Sequence, residues 1–153
     1  MGIEISIRDP RDADMTAILQ THVDFCSTST PIEFCYVLDV SELTTPDITV
    51  FGANLNGVLV GVGALRILDK NHAELKSMHT IAQARGNGVG RALVEHISSF
   101  AREKGIARLS LETGTNDDFK PARDLYVSLG FSPCDAFGDY KNTEQNVCMT
   151  KYL

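Results

Sequence analysis

Apolar and polar residues alternate at the start of the chain. Ile3, Ile5 and Ile7 stand against Glu4, Ser6 and Arg8, the period of a half-buried strand, and Asp9-Pro10 ends it. Past Asp12 and Asp14, either of which suits a helix cap, the period changes. Met15, Ile18, Leu19, His22, Val23 and Cys26 recur at helical spacing, and the run Ser27–Pro31 breaks the helix. From Ile32 to Asp47 the pattern is weak, with a short helical turn at Ser41-Glu42-Leu43 before Pro46. A strand opens at Ile48-Thr49-Val50-Phe51. Asn56-Gly57 is a hairpin signal between it and a second strand, Val58–Leu68. Gly61 and Gly63 inside that strand predict a bulge or a close approach of backbone. Asp69-Lys70-Asn71 turns the chain again into a third strand, His72–Thr80, which makes a meander.

Val89, Leu93, Ile97 and Phe100 then share one helix face, and Lys104-Gly105 stops the helix with a cation followed by a glycine. Ile106–Glu112 reads as a strand. Asp117 or Asp118 is the expected cap of a helix that turns Phe119, Ala122, Leu125, Tyr126 and Leu129 inward and ends at Gly130. Phe131 opens a short strand and Val147–Tyr152 forms the last one. No linker divides the chain and no repeat appears, so one domain over residues 3–153 is expected. Its mixed α/β order has a glycine loop in the middle.

That loop carries the chemistry. Gln83-Ala84-Arg85-Gly86-Asn87-Gly88-Val89-Gly90-Arg91 joins the meander to the amphipathic helix. Glycines at alternate positions let backbone approach a ligand closely. The first N–H groups of the helix and the positive end of its dipole point back into the loop, a construction that holds phosphate. A nucleotide P-loop would need GxxxxGK[ST], and neither the lysine nor the hydroxyl is in place. A dinucleotide fingerprint would need GxGxxG after the first strand of a parallel unit. The spacing found is GxGxG after an antiparallel meander.

Composition narrows the partners. With 20 acidic and 14 basic residues the net charge is −6, which disfavours nucleic acid and anionic membranes. No apolar run approaches the ~20 residues of a membrane span, and Met1–Ile5 lacks the basic and apolar regions of a secretory signal. Cytoplasmic residence is the expectation. Cys26, Cys35, Cys134 and Cys148 show no metal-ligand spacing, so no metal is expected and reduced thiols are. Cys134 and Cys148 are placed to face each other across a terminal hairpin.

The segment Arg85-x-x-Gly88-x-Gly90 resembles motif A, Q/R-x-x-G-x-G/A, of the GNAT superfamily of N-acetyltransferases. Pro121–Phe131 resembles the family's A-x-x-L-Y-x-x-x-G-F, and the order of elements matches throughout. Leu75–Thr80, Leu111–Gly114 and Ala136–Tyr140 look like the small bacterial YsnE-like branch. The resemblance implies a GNAT fold, with a mostly antiparallel central sheet splayed between strands 4 and 5 and flanked by helices. It implies acetyl-CoA as co-substrate, an amine of a small molecule or peptide as acceptor, and direct transfer between them. Dimers are common among such proteins, but nothing in the chain signals one.

Several residue roles follow from the resemblance. Backbone amides of Arg85, Gly86, Asn87, Gly88, Val89, Gly90 and Arg91 would hold the CoA pyrophosphate. Met78, His79 and Thr80 would offer backbone to the pantetheine arm as an added strand. Asn116 and Arg123 are further candidate CoA contacts, with Lys120 beside them. Relatives commonly carry Asn where this chain has Phe119. Tyr126 stands where the family places a general acid for the departing thiolate. Glu74, on the strand face assigned to Lys76, Met78 and Thr80, is the first candidate for general base, with an ion pair to Lys76 or Arg66 as the structural alternative. Glu112 is its rival, and His72 and His79 rank below both. The acceptor pocket is expected between residues 24–46, the strand 3/4 region and the loop Phe137–Asn142. The opposing reading is a non-catalytic acyl-CoA-binding module that keeps the loop without the chemistry.

Overall fold

The computed structural model describes residues 2–30 and 38–153. Cys35, and that part of the weakly patterned stretch which falls in 31–37, lie outside the described residues. Among the described residues seven strands form one sheet in the order β1-β2-β3-β4-β5-β7-β6. They are β1 (Ile3–Ile7), β2 (Ile48–Leu55), β3 (Val58–Ile67), β4 (His72–Thr80), β5 (Arg108–Gly114), β6 (Ser132–Cys134) and β7 (Asn146–Tyr152). Among the described residues three α-helices flank the sheet, α1 (Ala13–Ser29), α2 (Val89–Glu103) and α3 (Lys120–Ser128).

Alternation along the strands sorts the core onto two faces. Val50, Val62 and Ala64 meet Met15, Ile18 and Leu19 of α1 on one face. Phe51, Leu65 and Leu75 meet Val89, Leu93 and Ile97 of α2 on the other. The β2–β3 hairpin turns through Asn56 and Gly57, whose φ values of 52° and 81° are those its Asn-Gly pair favours. At Gly61 an added Cβ would lie 2.7 Å from Val89 Cγ1, and at Gly63 2.6 Å from Met78 Sδ. These glycines let α2 and the neighbouring strand seat against the sheet.

Several expected boundaries move: α1 continues through Ser27 to Ser29, and β6 opens at Ser132 rather than Phe131. Helix α2 closes with Gly105 N–H on the Arg102 carbonyl and Ile106 N–H on the Ala101 carbonyl, with Gly105 at φ 83°. That capping consumes Ile106, so β5 begins at Arg108 and runs to Gly114 rather than over 106–112. The cap before α3 is Asn116, not Asp117 or Asp118. Its Oδ1 accepts from Asp118 N–H, a single 3₁₀ turn follows, and α3 starts at Lys120 with Pro121 in its first turn. Cys134 and Cys148 are register partners on β6 and β7, and no bond joins them.

All neighbouring strands pair antiparallel except β4 and β5. These run parallel and pair only at His72/Arg108, Ala73/Leu109 and Glu74/Ser110. Beyond Glu74 and Ser110 they part, and the sheet forks.

Candidate active site

One arm of the fork carries an irregularity with functional weight. Ser77 sits at φ 55°, a left-handed conformation that serine rarely adopts, and the β3–β4 register slips between Val62 and Ala64. Lys76 pairs with Ala64 and His79 with Val62, so Ser77 and Met78 together oppose Gly63. This is a β-bulge. It reverses which face each later side chain occupies. Met78 turns toward α2, with its sulfur against Gly63, while His79 turns toward α1 and meets His22. Glu74 and Lys76 therefore share a face with His79, not with Met78 and Thr80 as strict alternation predicts.

Two cavities meet at the fork. The larger, of about 370 Å³, runs from Met78, His79 and Thr80 past Arg85, Gly86, Gly88, Val89, Gly90 and Arg91 to α3, and the expected contact Asn87 is not in its wall. Gly86 and Gly88 lie at φ 85° and 81° with open space around them, so it is the left-handed backbone that calls for glycine. Gly88 is also the N-cap of α2 and offers no side chain to its first N–H groups, which leaves that helix end for an anion. Arg85 Nε donates to the Thr80 carbonyl at 3.2 Å, Asn87 Nδ2 to the Ala84 carbonyl at 2.9 Å, and Arg91 Nη2 to Ser128 Oγ at 3.0 Å. The loop's side chains thus brace it while its backbone faces the cavity. Asn116 and Arg123 are engaged with the protein's own backbone. Arg123 Nη1 donates to the carbonyls of Gly114 and Asn116, both at 2.8 Å, and Asn116 Nδ2 donates to the Ser29 carbonyl.

The smaller cavity, about 110 Å³, lies between the arms of the fork. Glu74 and Lys76 rise into it from β4 and Glu112 from β5, while Tyr140 closes it from the β6–β7 loop. Lys76 Nζ donates to Glu74 Oε2 at 3.1 Å and to the Tyr140 hydroxyl at 2.7 Å, and that hydroxyl donates in turn to Glu74 Oε2. Glu74 is therefore satisfied by two partners. Glu112 is placed differently. Among the described residues it accepts one side-chain hydrogen bond, from Asn146 Nδ2 at 3.1 Å. Burial lifts its carboxyl to about 7, against the pull of Asn146 and Lys76 and with help from Glu74. A carboxyl that titrates near neutrality inside a cleft has the properties of a proton acceptor.

Tyr126, 6% exposed, forms part of the wall of both cavities, as do Met78 and His22. Burial, with the Cys26 sulfur adding to it, raises the phenol well above its ordinary range, so it keeps its proton until a strong base appears beside it. His79 Nδ1 lies 3.1 Å from His22 Nδ1. Burial, chiefly, lowers both imidazoles, to about 3 for His22 and about 4 for His79, and both are neutral at pH 7. His72 is held away from either cavity by Ser110 Oγ, 2.7 Å from its Nε2. Among the described residues no three His, Cys, Asp or Glu side chains gather to hold a metal, and no helix is long and apolar enough to cross a membrane.

Cys26 and Tyr140 fall in the segments expected to build the acceptor pocket, 24–46 and 137–142, and both line the smaller cavity, while His22 lay outside every expected part of the site. Tyr140 reaches Glu74 across 66 positions of sequence, and His22 and Cys26 fitted the apolar face of α1. The Ser77 bulge was announced only indirectly, by the glycine at position 63 opposite it.

The fork, the glycine loop at the N-terminus of α2 and the tyrosine between two cavities define an acetyl-CoA-dependent N-acetyltransferase. The chain belongs to the acetyltransferase (GNAT) family, which it matches over residues 15–131. It is 38% identical to the uncharacterized N-acetyltransferase YsnE of Bacillus subtilis over 99% of this chain and 100% of that one. To the uncharacterized N-acetyltransferase YedL of Escherichia coli it is 37% identical, over 82% of this chain and 79% of that one. Its fold is that of a putative acyl-CoA N-acyltransferase from Klebsiella pneumoniae, at TM-score 0.85 and 26% identity, with 99% of this chain and 97% of that one covered.

Proposed function

We propose that the enzyme transfers an acetyl group directly from acetyl-CoA to a primary amine of a small molecule, both bound at once on either side of Tyr126. The observation that carries this reading is the meeting of the two cavities at that phenol. The larger suits the CoA diphosphate on the backbone amides of Arg85–Arg91, with the pantetheine arm along Met78–Thr80. The smaller suits an amine. A buried cavity with two carboxylates and one lysine favours a cation, and the lysine is already neutralised by Glu74.

In this reading Glu112 takes the proton of the attacking ammonium and Tyr126 returns one to the departing thiolate. Glu74, held by Lys76 and Tyr140, shapes the cavity and leaves proton transfer to Glu112. Positioning of the two substrates lowers the barrier further by converting a bimolecular encounter into an intramolecular one. The family places peptide acceptors among the alternatives. The narrow cavity and the Tyr140 closure support the small molecule.

A panel of small amines, amino acids and peptides with acetyl-CoA, followed by release of free thiol, tests the reading. Release above background with small cationic amines is the expected result. Binding of acetyl-CoA with no release for any amine would turn the reading toward a sensing module.

A further inference from the structure

The wall between the cavities holds a nucleophile that amine transfer does not use. Cys26 stands one turn beyond His22 on α1 and lines the smaller cavity. Its sulfur is 3.7 Å from His22 Nε2, and His22 Nδ1 is 3.1 Å from His79 Nδ1. Two ring nitrogens at that separation share one proton. If His22 donates it, Nε2 is left as the acceptor on that ring, and the Cys26 sulfur lies 3.7 Å from it and 4.0 Å from Nδ1. The reverse tautomer would aim an N–H at sulfur, a weak acceptor. The row Cys26–His22–His79 thus sets a thiol beside a neutral imidazole that can relay its proton, with a second ring fixing the imidazole.

A second feature of the same cavity points to an oxygen ligand. Ser77 Oγ is buried and, among the described residues, has no hydrogen-bond partner. Ser77 belongs to the lining of the same cavity, and its strained φ of 55° holds it at the bulge. A hydroxyl so placed donates to a carbonyl oxygen as charge develops on it.

We propose that Cys26 is itself an acyl acceptor, taking the acetyl group from acetyl-CoA when no amine fills the cavity. The inference rests on the acetyl-CoA reading above. The Cys26 sulfur forms a bond to the carbonyl carbon, and the bond from that carbon to the CoA sulfur breaks with its electron pair. The thiol proton is handed through His22 to the departing sulfur as the two bonds exchange, and the imidazole ends neutral as it began. Products are S-acetyl-Cys26 and free CoA, and no oxidant or reductant is consumed. One thioester replaces another, so the extent of modification follows the ratio of acetyl-CoA to CoA. The adduct occupies space the amine needs and holds the enzyme back until CoA reclaims the acetyl group.

The test uses the full chain with acetyl-CoA and no amine, quenched in acid and weighed intact. The expected result is a gain of one acetyl mass that neutral hydroxylamine removes and added CoA reverses. It is absent from Cys26→Ser with its melting temperature retained, and forms about tenfold more slowly in His22→Phe. Calorimetry on the same sample separates the failures. Acetyl-CoA bound without an adduct overturns this proposal alone, as does an adduct that survives in Cys26→Ser or resists hydroxylamine. No binding at all overturns the cofactor reading and this proposal with it.

Discussion

Glu74 and Lys76 form an ion pair on alternate positions of one strand, at 3.1 Å, with side chains only 3% and 7% exposed. Taking one partner away leaves the other charge buried without compensation. Lys76→Met is expected to cost about 3–5 kcal/mol in urea unfolding. Adding Glu74→Leu to it should restore much of that loss, because the orphaned carboxylate goes too. Tyr140→Phe removes one neutral hydroxyl from the pair and should cost less, about 1 kcal/mol.

Glu112 gives the enzyme its expected pH dependence. With its carboxyl lifted to about 7, the base form grows as pH rises through neutrality, and kcat/KM should rise with it. Glu112→Gln should lower the rate by about a hundredfold or more and abolish that ascending limb. A Glu74→Gln variant with the limb intact would agree with its structural role. One in which the limb vanishes would return the base assignment to Glu74.

The same groups leave opposite marks on stability. The folded state binds the Glu112 proton more tightly than the unfolded chain, so its contribution is complete below the ordinary carboxyl value of 4.5 and is lost as pH climbs through about 7. His22 and His79 work the other way. Their folded values lie at about 3 and about 4 against an ordinary 6.5, so the unfolded chain takes up their protons first as pH falls below 6.5. Glu112→Gln should therefore melt higher than the parent at pH 8, and the gap should close by pH 4. Calorimetric scans across that range check the sign of both effects.

Tyr126→Phe keeps the ring that packs on Phe131 and removes the proton. It should lower kcat by tenfold or more with little change in KM for acetyl-CoA. An unchanged kcat would show that the thiolate leaves unaided.

Gly63→Ala tests the seat of the bulge. The new methyl would lie 2.6 Å from Met78 Sδ and 2.9 Å from Ile97 Cδ1, an overpacking worth about 1–3 kcal/mol. Because Met78 belongs to the bulge, acetyl-CoA affinity should weaken along with stability, which titration calorimetry reads directly.

Most of the scaffold could be read from residue order, since its signals are local. Asn56-Gly57 fixes a turn, Lys104-Gly105 a helix stop, and the glycines at 86, 88 and 90 a ligand loop. What escaped was non-local. Nothing near Ser77 announces φ 55°, because the bulge is imposed by the partner strand and by the crowding of Met78 against α2. Counting by twos past that point put Met78 on the wrong face and hid the meeting of His79 with His22. The caps at residues 116–118 misled for a related reason, since Asn116 competes with two aspartates that suit the position equally well by composition.

The parting of β4 from β5 after three paired residues divides the labour of the molecule unequally between main chain and side chains. Whatever lies along the glycine loop and the bulge meets peptide groups, which almost any substitution leaves intact. Whatever enters the gap beyond Ser110 meets Glu112, Lys76 and Tyr140, each replaceable by a single codon change. Such a protein can drift from one amine to another over generations while its hold on the nucleotide donor stays unaltered.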